Sequence, residues 1–103
     1  MRHRFGYDAH NVPFWDINAY ADPTRLFRQF ELAFDRNTTK LETIYAYPWD
    51  MTWEQCRKLW GDNARKMKNP DGTRFYSYRD RRINVLLSEQ GKVINLGIYS
   101  AAY

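Results

Sequence analysis

Apolar residues recur at helical spacing in two separate stretches of the chain. The first stretch contains Leu26, Phe27, Phe30, Ala33 and Phe34. Asp22 is suited to cap a helix at this point, and Pro23 is suited to its first position. The pattern predicts a first helix that starts at Pro23, after the Asp22 cap, and ends near Asn37.

The second stretch follows Thr52, which together with Gln55 matches a helix capping box. Its apolar stripe consists of Trp53, Cys56, Leu59, Trp60, Ala64 and Met67. This spacing predicts a second helix from Trp53 to Met67. Gly61 lies inside the helix, where it costs about 1 kcal/mol relative to Ala and marks a point at which the helix could break.

Residues with high β-propensity alternate in the remaining segments and predict strands. These segments are Phe14–Ile17, Leu41–Tyr47, Arg74–Tyr78, Ile83–Leu87 and Val93–Tyr99. The turn at Asn69–Gly72 precedes the third of them, and the last two are joined across Glu89–Gly91. We expect an α+β fold in which two helices pack on one face of a small, mainly antiparallel sheet that ends in a C-terminal hairpin.

The large apolar residues at these spacings make up the predicted core. They are Leu26, Phe30, Phe34, Trp53, Leu59, Trp60, Val85, Leu87, Ile94 and Leu96. A chain of 103 residues with 44% hydrophobic residues can bury roughly 65% of the surface that its unfolded form exposes. No linker or repeat divides the chain, so we expect a single compact domain over residues 1–103.

Positive charge is concentrated between residues 57 and 82. This segment holds nine Lys or Arg residues against three acids, a net charge of +6 where the whole chain has +4. The cations are Arg57, Lys58, Arg65, Lys66, Lys68, Arg74, Arg79, Arg81 and Arg82. Aromatic residues are interspersed among them, and such a combination is typical of a surface that binds a polyanion.

Strand alternation places Arg74, Tyr76 and Tyr78 on one face of their predicted strand, with Phe75 and Ser77 on the other. A cation beside two phenol rings can neutralise phosphates and stack on bases. The predicted binding residues are Lys66, Lys68, Arg74, Tyr76, Tyr78, Arg79, Arg81 and Arg82. An alternative stays open, in which the tyrosines are ordinary cross-strand pairs and the arginines a solvated rim.

The sequence offers little for catalysis. His3 and His10 lie near the N-terminus without metal-binding or triad spacing, and Cys56 falls on an apolar helix stripe, as an inert buried thiol would. No nucleotide-binding glycine loop or serine elbow is present. We therefore predict no enzymatic activity, no catalytic residue, no metal and no cofactor. The single cysteine, and the lack of an apolar run at the N-terminus, favour a cytoplasmic protein without membrane contact.

Three functions remain as hypotheses. The first is a non-enzymatic binding module that docks on nucleic acid or a nucleic-acid-containing complex through its basic, Tyr-rich face. The second is a protein-protein inhibitor or adaptor of the kind encoded by phages and mobile elements, because Tyr, Trp and Arg dominate protein interfaces. The third is a structural subunit that oligomerises through the free edge of the C-terminal hairpin.

Overall fold

The computed structural model describes residues 2–100, which form eight β-strands and one short α-helix. The strands are β1 (Arg2–Tyr7), β2 (Pro13–Ala21), β3 (Phe27–Asp35), β4 (Leu41–Pro48), β5 (Arg65–Lys68), β6 (Arg74–Tyr78), β7 (Ile83–Leu87) and β8 (Val93–Tyr99). Helix α1 (Trp53–Trp60) lies between β4 and β5. The predicted α+β fold with two helices on a small sheet is therefore wrong, because the chain is mostly one antiparallel sheet.

All eight strands belong to a single sheet in the order β1-β2-β3-β4-β8-β7-β6-β5. Each half of the chain is a four-stranded meander, and the last strands of the two meanders, β4 and β8, pair with each other. The predicted hairpin of β7 and β8 is present. Its predicted free edge is not, since β8 pairs with β4 on its other side, and the outer strands of the sheet are β1 and β5.

Strand β3 occupies the segment predicted as the first helix. Its side chains alternate, so that Phe30, Leu32 and Phe34 lie on one face of the sheet. Glu31 and Ala33 lie on the opposite face, where both are buried. A short run of this kind fits the period of a helix and that of a strand, and backbone pairing with both β2 and β4 decides in favour of the strand.

The loop before β3 explains why Asp22 resembled a helix cap in the sequence. The Asp22 carboxylate accepts hydrogen bonds from the backbone N–H groups of Thr24 and Phe27, both at 2.9 Å. Asp22 therefore fastens a turn, and the predicted core residue Leu26 is 74% exposed in it.

Helix α1 is shorter than predicted, although its start agrees with the sequence. The Thr52 and Gln55 side chains form the expected capping box. The helix ends at Trp60 because Gly61 has a φ of 87°, a conformation that glycine adopts without the strain a side chain would cause. No helix among the described residues is long and apolar enough to cross a membrane.

The main core lies between α1 and one face of the sheet, which we call the helix face. Its buried members are Ala46, Cys56, Tyr78, Val85, Leu87, Val93 and Leu96. The core prediction was correct for Val85, Leu87 and Leu96. The predicted residues Phe30, Trp53 and Trp60 are partly buried and pack against this core. Phe34 is half-buried outside the cluster. Leu59 and Ile94 were predicted wrongly, with exposures of 62% and 38%.

Candidate nucleic-acid interface

The predicted cations of β5 and β6 lie on the helix face, beyond the edge of α1. Lys66 pairs with Tyr76 and Lys68 with Arg74 in the antiparallel ladder, so all four side chains share this face. Lys66 Nζ lies 3.5 Å from a carboxylate oxygen of Asp62. Lys68 and Arg74 are exposed, and no ion pair among residues 2–100 involves either of them. Two like charges therefore face each other across neighbouring strands.

Tyr76 is half-buried beneath the first turn of the helix. Its ring meets that of Trp53 edge to face, with centroids 4.7 Å apart. Lys66 Nζ lies 5.6 Å from the centroid of Tyr76 and 5.8 Å from that of Trp53, within cation-π range of both. The basic and aromatic side chains predicted to act together are thus in contact at this position.

Tyr78 shares the face of Tyr76, as predicted, but it belongs to the core. It is 1% exposed and its ring lies between those of Trp53 and Trp60, with centroids 5.8 and 5.9 Å away. Its hydroxyl donates a hydrogen bond of 2.6 Å to the carbonyl oxygen of Gly61 at the end of α1. Burial raises the pKa of the Tyr78 phenol. The ring offers no surface to a base, so the structure removes Tyr78 from the predicted binding residues.

Arg79, Arg81 and Arg82 lie in the turn between β6 and β7. Arg82 has a φ of 55° and its guanidinium donates to the carbonyl oxygen of Ser100, so it holds the turn against the chain after β8. Arg81 is exposed. Arg79 lines a cavity on the sheet face that α1 does not cover. The structure therefore brings Lys66, Lys68, Arg74 and Tyr76 together and places the three arginines at the end of these strands.

The face opposite α1, which we call the open face, carries a concave aromatic trough that the sequence did not predict. Two adjoining cavities of about 440 and 320 Å³ share Phe75, Asn84 and Tyr99 as lining residues. A smaller one of about 80 Å³ shares Trp15 and Tyr45 with the second cavity and is also lined by Ala33 of β3. Alternation in β6 placed Phe75 opposite Tyr76. Only the strand order shows that Phe75 shares a face with rings from β2, β4 and β8.

An ionic network centred on the buried carboxylate of Glu31 also lies on the open face, beyond the trough. The Arg4 guanidinium donates to both carboxylate oxygens of Glu31, at 3.0 and 3.2 Å, and the Tyr47 hydroxyl donates to the same carboxylate. Burial opposes ionisation of Glu31, but these hydrogen bonds outweigh it and hold the pKa of the carboxyl below its ordinary value. Burial and the Glu31 carboxylate raise the pKa of Tyr47 to about 12. The network joins β1 to β3 and β4.

The residues considered for catalysis lie apart from one another. Cys56 is fully buried in the core, where burial raises the pKa of its thiol to about 11. His3 Nε2 lies 3.0 Å from an Asp16 carboxylate oxygen, and His10 is exposed in the turn after β1. Within residues 2–100, no group of three His, Cys, Asp or Glu side chains is placed to hold a metal ion.

Comparisons of the chain with protein-family models, with curated proteins and with solved structures gave no significant match.

Proposed function

We propose that this protein is a non-enzymatic module that binds nucleic acid through the basic end of its sheet. The basic end consists of β5, β6 and the β6–β7 turn. Its cations are Arg65, Lys66, Lys68, Arg74, Arg79, Arg81 and Arg82. They lie on both faces of the sheet at its β5 edge and in the β6–β7 turn. This distribution suits a partner that carries many negative charges along an extended backbone.

The observation that carries the proposal is the pairing of Lys68 with Arg74. Like charges directly opposite each other in a ladder destabilise a sheet, and no ion pair among the described residues relieves this one. Asp71, the nearest acid along the chain, instead accepts hydrogen bonds from the backbone and hydroxyl of Thr73, at 3.0 and 2.6 Å. An anionic partner such as a phosphate backbone would relieve the repulsion on binding.

The size of the charge indicates the kind of binding. A net charge of +4 over 103 residues is modest. Each phosphate contact releases counterions, so binding should depend on salt. A protein with this modest net charge is expected to bind nucleic acid with moderate affinity and not to coat any polyanion tightly. Tyr76 and Lys66 lie beside the pair and are expected to contribute an aromatic edge and a further charge.

The test is binding of a labelled oligonucleotide, followed by fluorescence anisotropy at low salt. Replacing Lys68, Arg74 or Arg81 with Ala should each weaken binding by about 2- to 5-fold, the range expected for exposed charge contacts. Lys40→Ala is the matched control, because Lys40 is an exposed cation in the β3–β4 turn, far from β5 in the strand order. Absence of binding by the parent protein, or equal losses for Lys40→Ala, would contradict the proposal.

A second candidate function, an inhibitor or adaptor that binds a protein, is favoured by a different observation. Leu32, Ile44, Ile98 and Ile83 are paired in register across β3, β4, β8 and β7 on the helix face. Ile98 is 44% exposed there. Such a partly exposed aliphatic row suits a protein interface. Ile98→Asp should abolish capture of a protein partner under this function and leave oligonucleotide binding unchanged.

The remaining hypotheses stay predictions. The role as a structural subunit no longer has the free hairpin edge that motivated it, since both edges of that hairpin are paired. The predicted cytoplasmic location rests on the single cysteine, which has a free and buried thiol, and on the lack of an apolar run near the N-terminus.

A further inference from the structure

The trough on the open face crosses most of the sheet. Its lining residues come from each strand between β2 and β5 in the sheet order. Trp15 of β2 and Phe75 of β6 line the same cavity although four strands separate β2 from β6 in the sheet, so the sheet curls around the trough. The two larger cavities fall in the size range of ligand sites, and because they adjoin each other they have room for more than one flat group.

The lining of the trough combines aromatic rings with neutral polar groups. The rings are those of Trp15, Tyr45, Phe75 and Tyr99. Asn84 lies among them, and its side-chain oxygen accepts a hydrogen bond of 2.7 Å from the Ser77 hydroxyl. The Asn84 amide nitrogen has no hydrogen-bond partner among the described residues, so it can donate to a ligand. Flat rings beside amide groups are the surface on which unpaired bases stack and form hydrogen bonds.

Charge along the trough is positive at one end. Arg65 and Arg79 line the cavity next to β5 and β6. No Asp or Glu lines any of the three cavities in the part of the chain that the structure describes. The two arginines continue the basic end from the helix face round to the open face. A ligand with flat neutral groups and an anionic backbone matches both parts of this lining.

Gly97 has no side chain and therefore leaves space in the trough. It lies in register between Tyr45 of β4 and Asn84 of β7. A Cβ atom built at this position would lie 3.4 Å from a ring carbon of Tyr45 and 3.7 Å from the Cβ of Asn84, which are ordinary contact distances. Alanine therefore fits without displacing its neighbours. A leucine side chain would fill the space above the floor.

We propose that the trough binds the unpaired bases of a single-stranded nucleic acid, while Arg65 and Arg79 contact its phosphates. This inference rests on the proposed function, and it specifies the form of nucleic acid bound. A base must leave the duplex stack to lie on an aromatic side chain, so the trough selects single strands over paired ones. Phe75, which is half-buried, stacks on the base nearest the arginines, and Asn84 donates a hydrogen bond to a neighbouring base.

The experiment compares a labelled single strand of about 12 nucleotides, within the usual range of site sizes, with the same strand annealed to its complement. The single strand should bind the parent protein about 10-fold or more tightly than the duplex. Phe75→Ala and Gly97→Leu should each weaken single-strand binding by about 5- to 150-fold, as expected for loss of base stacking, with little change in its dependence on salt. Gly97→Ala is the matched control and should bind like the parent. Thermal unfolding verifies that each variant is folded.

The outcomes separate the inference from the proposed function. Equal affinity for single strand and duplex, with folded Gly97→Leu binding like the parent, would overturn the trough while leaving nucleic-acid binding intact. Failure of the parent to bind either form at low salt would overturn both. A mononucleotide that competes as well as the full strand would also overturn the inference, because it would show that the trough holds a small ligand.

Discussion

Lys68 lies directly opposite Arg74 in the β5–β6 ladder, with both side chains on the helix face of the sheet. Binding of an anion and stability of the free protein should therefore respond in opposite directions to a change at this pair. A purely structural role would predict that both fall together.

Lys68→Glu should stabilise the free protein and weaken nucleic-acid binding. The substitution replaces a like-charge pair with an opposite-charge pair, which is worth about 0.2–1 kcal/mol in a ladder. Urea unfolding measures the first effect and fluorescence anisotropy the second. Lys40→Glu, in the β3–β4 turn, is the matched control and should change neither appreciably. A loss of stability in Lys68→Glu would show that Lys68 protects the edge of the sheet in some other way.

The core lies between α1 and the helix face, and two leucines test this directly. Leu87 is 1% exposed, whereas Leu59 on α1 is 62% exposed. Leu87→Ala should lower the free energy of unfolding by about 2–5 kcal/mol because it leaves a cavity, while Leu59→Ala should cost less than about 0.5 kcal/mol. Chemical denaturation measures both. Similar losses at the two positions would show that α1 packs with its other side on the sheet.

Tyr78→Phe tests the hydrogen bond between the Tyr78 hydroxyl and the C-terminal end of α1. The variant keeps the aromatic packing against Trp53 and Trp60 but removes the donor to the Gly61 carbonyl. We expect a loss of about 1–3 kcal/mol in unfolding free energy and no change in oligonucleotide affinity. Tyr76→Phe, whose hydroxyl makes no hydrogen bond to the described residues, is the control and should be nearly neutral. Weakened binding by folded Tyr78→Phe would return Tyr78 to the interface.

The Arg4–Glu31–Tyr47 network predicts a loss of stability in acid. The folded pKa of Glu31 lies below its ordinary value of 4.5, so the unfolded chain takes up a proton first as the pH falls. The stabilisation is complete above about pH 4.5 and is lost as the pH falls through the folded pKa. Glu31→Gln should cost about 1–2 kcal/mol at pH 7 and have a flatter stability profile below pH 4.5.

Denaturation of the parent and Glu31→Gln between pH 7 and pH 3 measures this difference. Asp22, Asp35 and Asp71 also have lowered pKa values, held by local hydrogen bonds, so the parent retains some acid sensitivity in either case. The contribution of Glu31 to the acid sensitivity is the difference between the stability profiles of the parent and Glu31→Gln. Glu54→Gln, which removes an exposed pair with Arg57, is the control. Parallel profiles for the parent and Glu31→Gln would contradict the role of the network.

The second half of the chain was more predictable from sequence than the first. Alternation and strong turns give β6, β7 and β8 with the bounds that the structure has. In β3 the apolar residues fit two periods, and only the neighbouring strands decide between them. The predicted second helix was too long because the apolar stripe continues past Gly61, where the backbone conformation ends the helix and the chain turns toward β5.

The candidate site was predictable only in part for a related reason. Alternation correctly placed Arg74, Tyr76 and Tyr78 on one face. It does not say which face a helix covers, so it gave no sign that Tyr78 is buried. The trough depends on strand order, since Trp15 and Phe75 are sixty positions apart in the chain and meet on one surface through the pairing of β4 with β8.

The most direct test of nucleic-acid binding is the salt dependence of oligonucleotide affinity for the parent and for the Lys68→Ala/Arg74→Ala double variant. Each phosphate contact contributes roughly 0.7–0.9 to the slope of log affinity against log salt concentration. We expect the parent to bind with a steep negative slope, and the double variant to have a slope smaller in magnitude by about 1.4–1.8, equivalent to two lost contacts. Equal slopes for the two proteins, or no binding by the parent at low salt, would contradict the account.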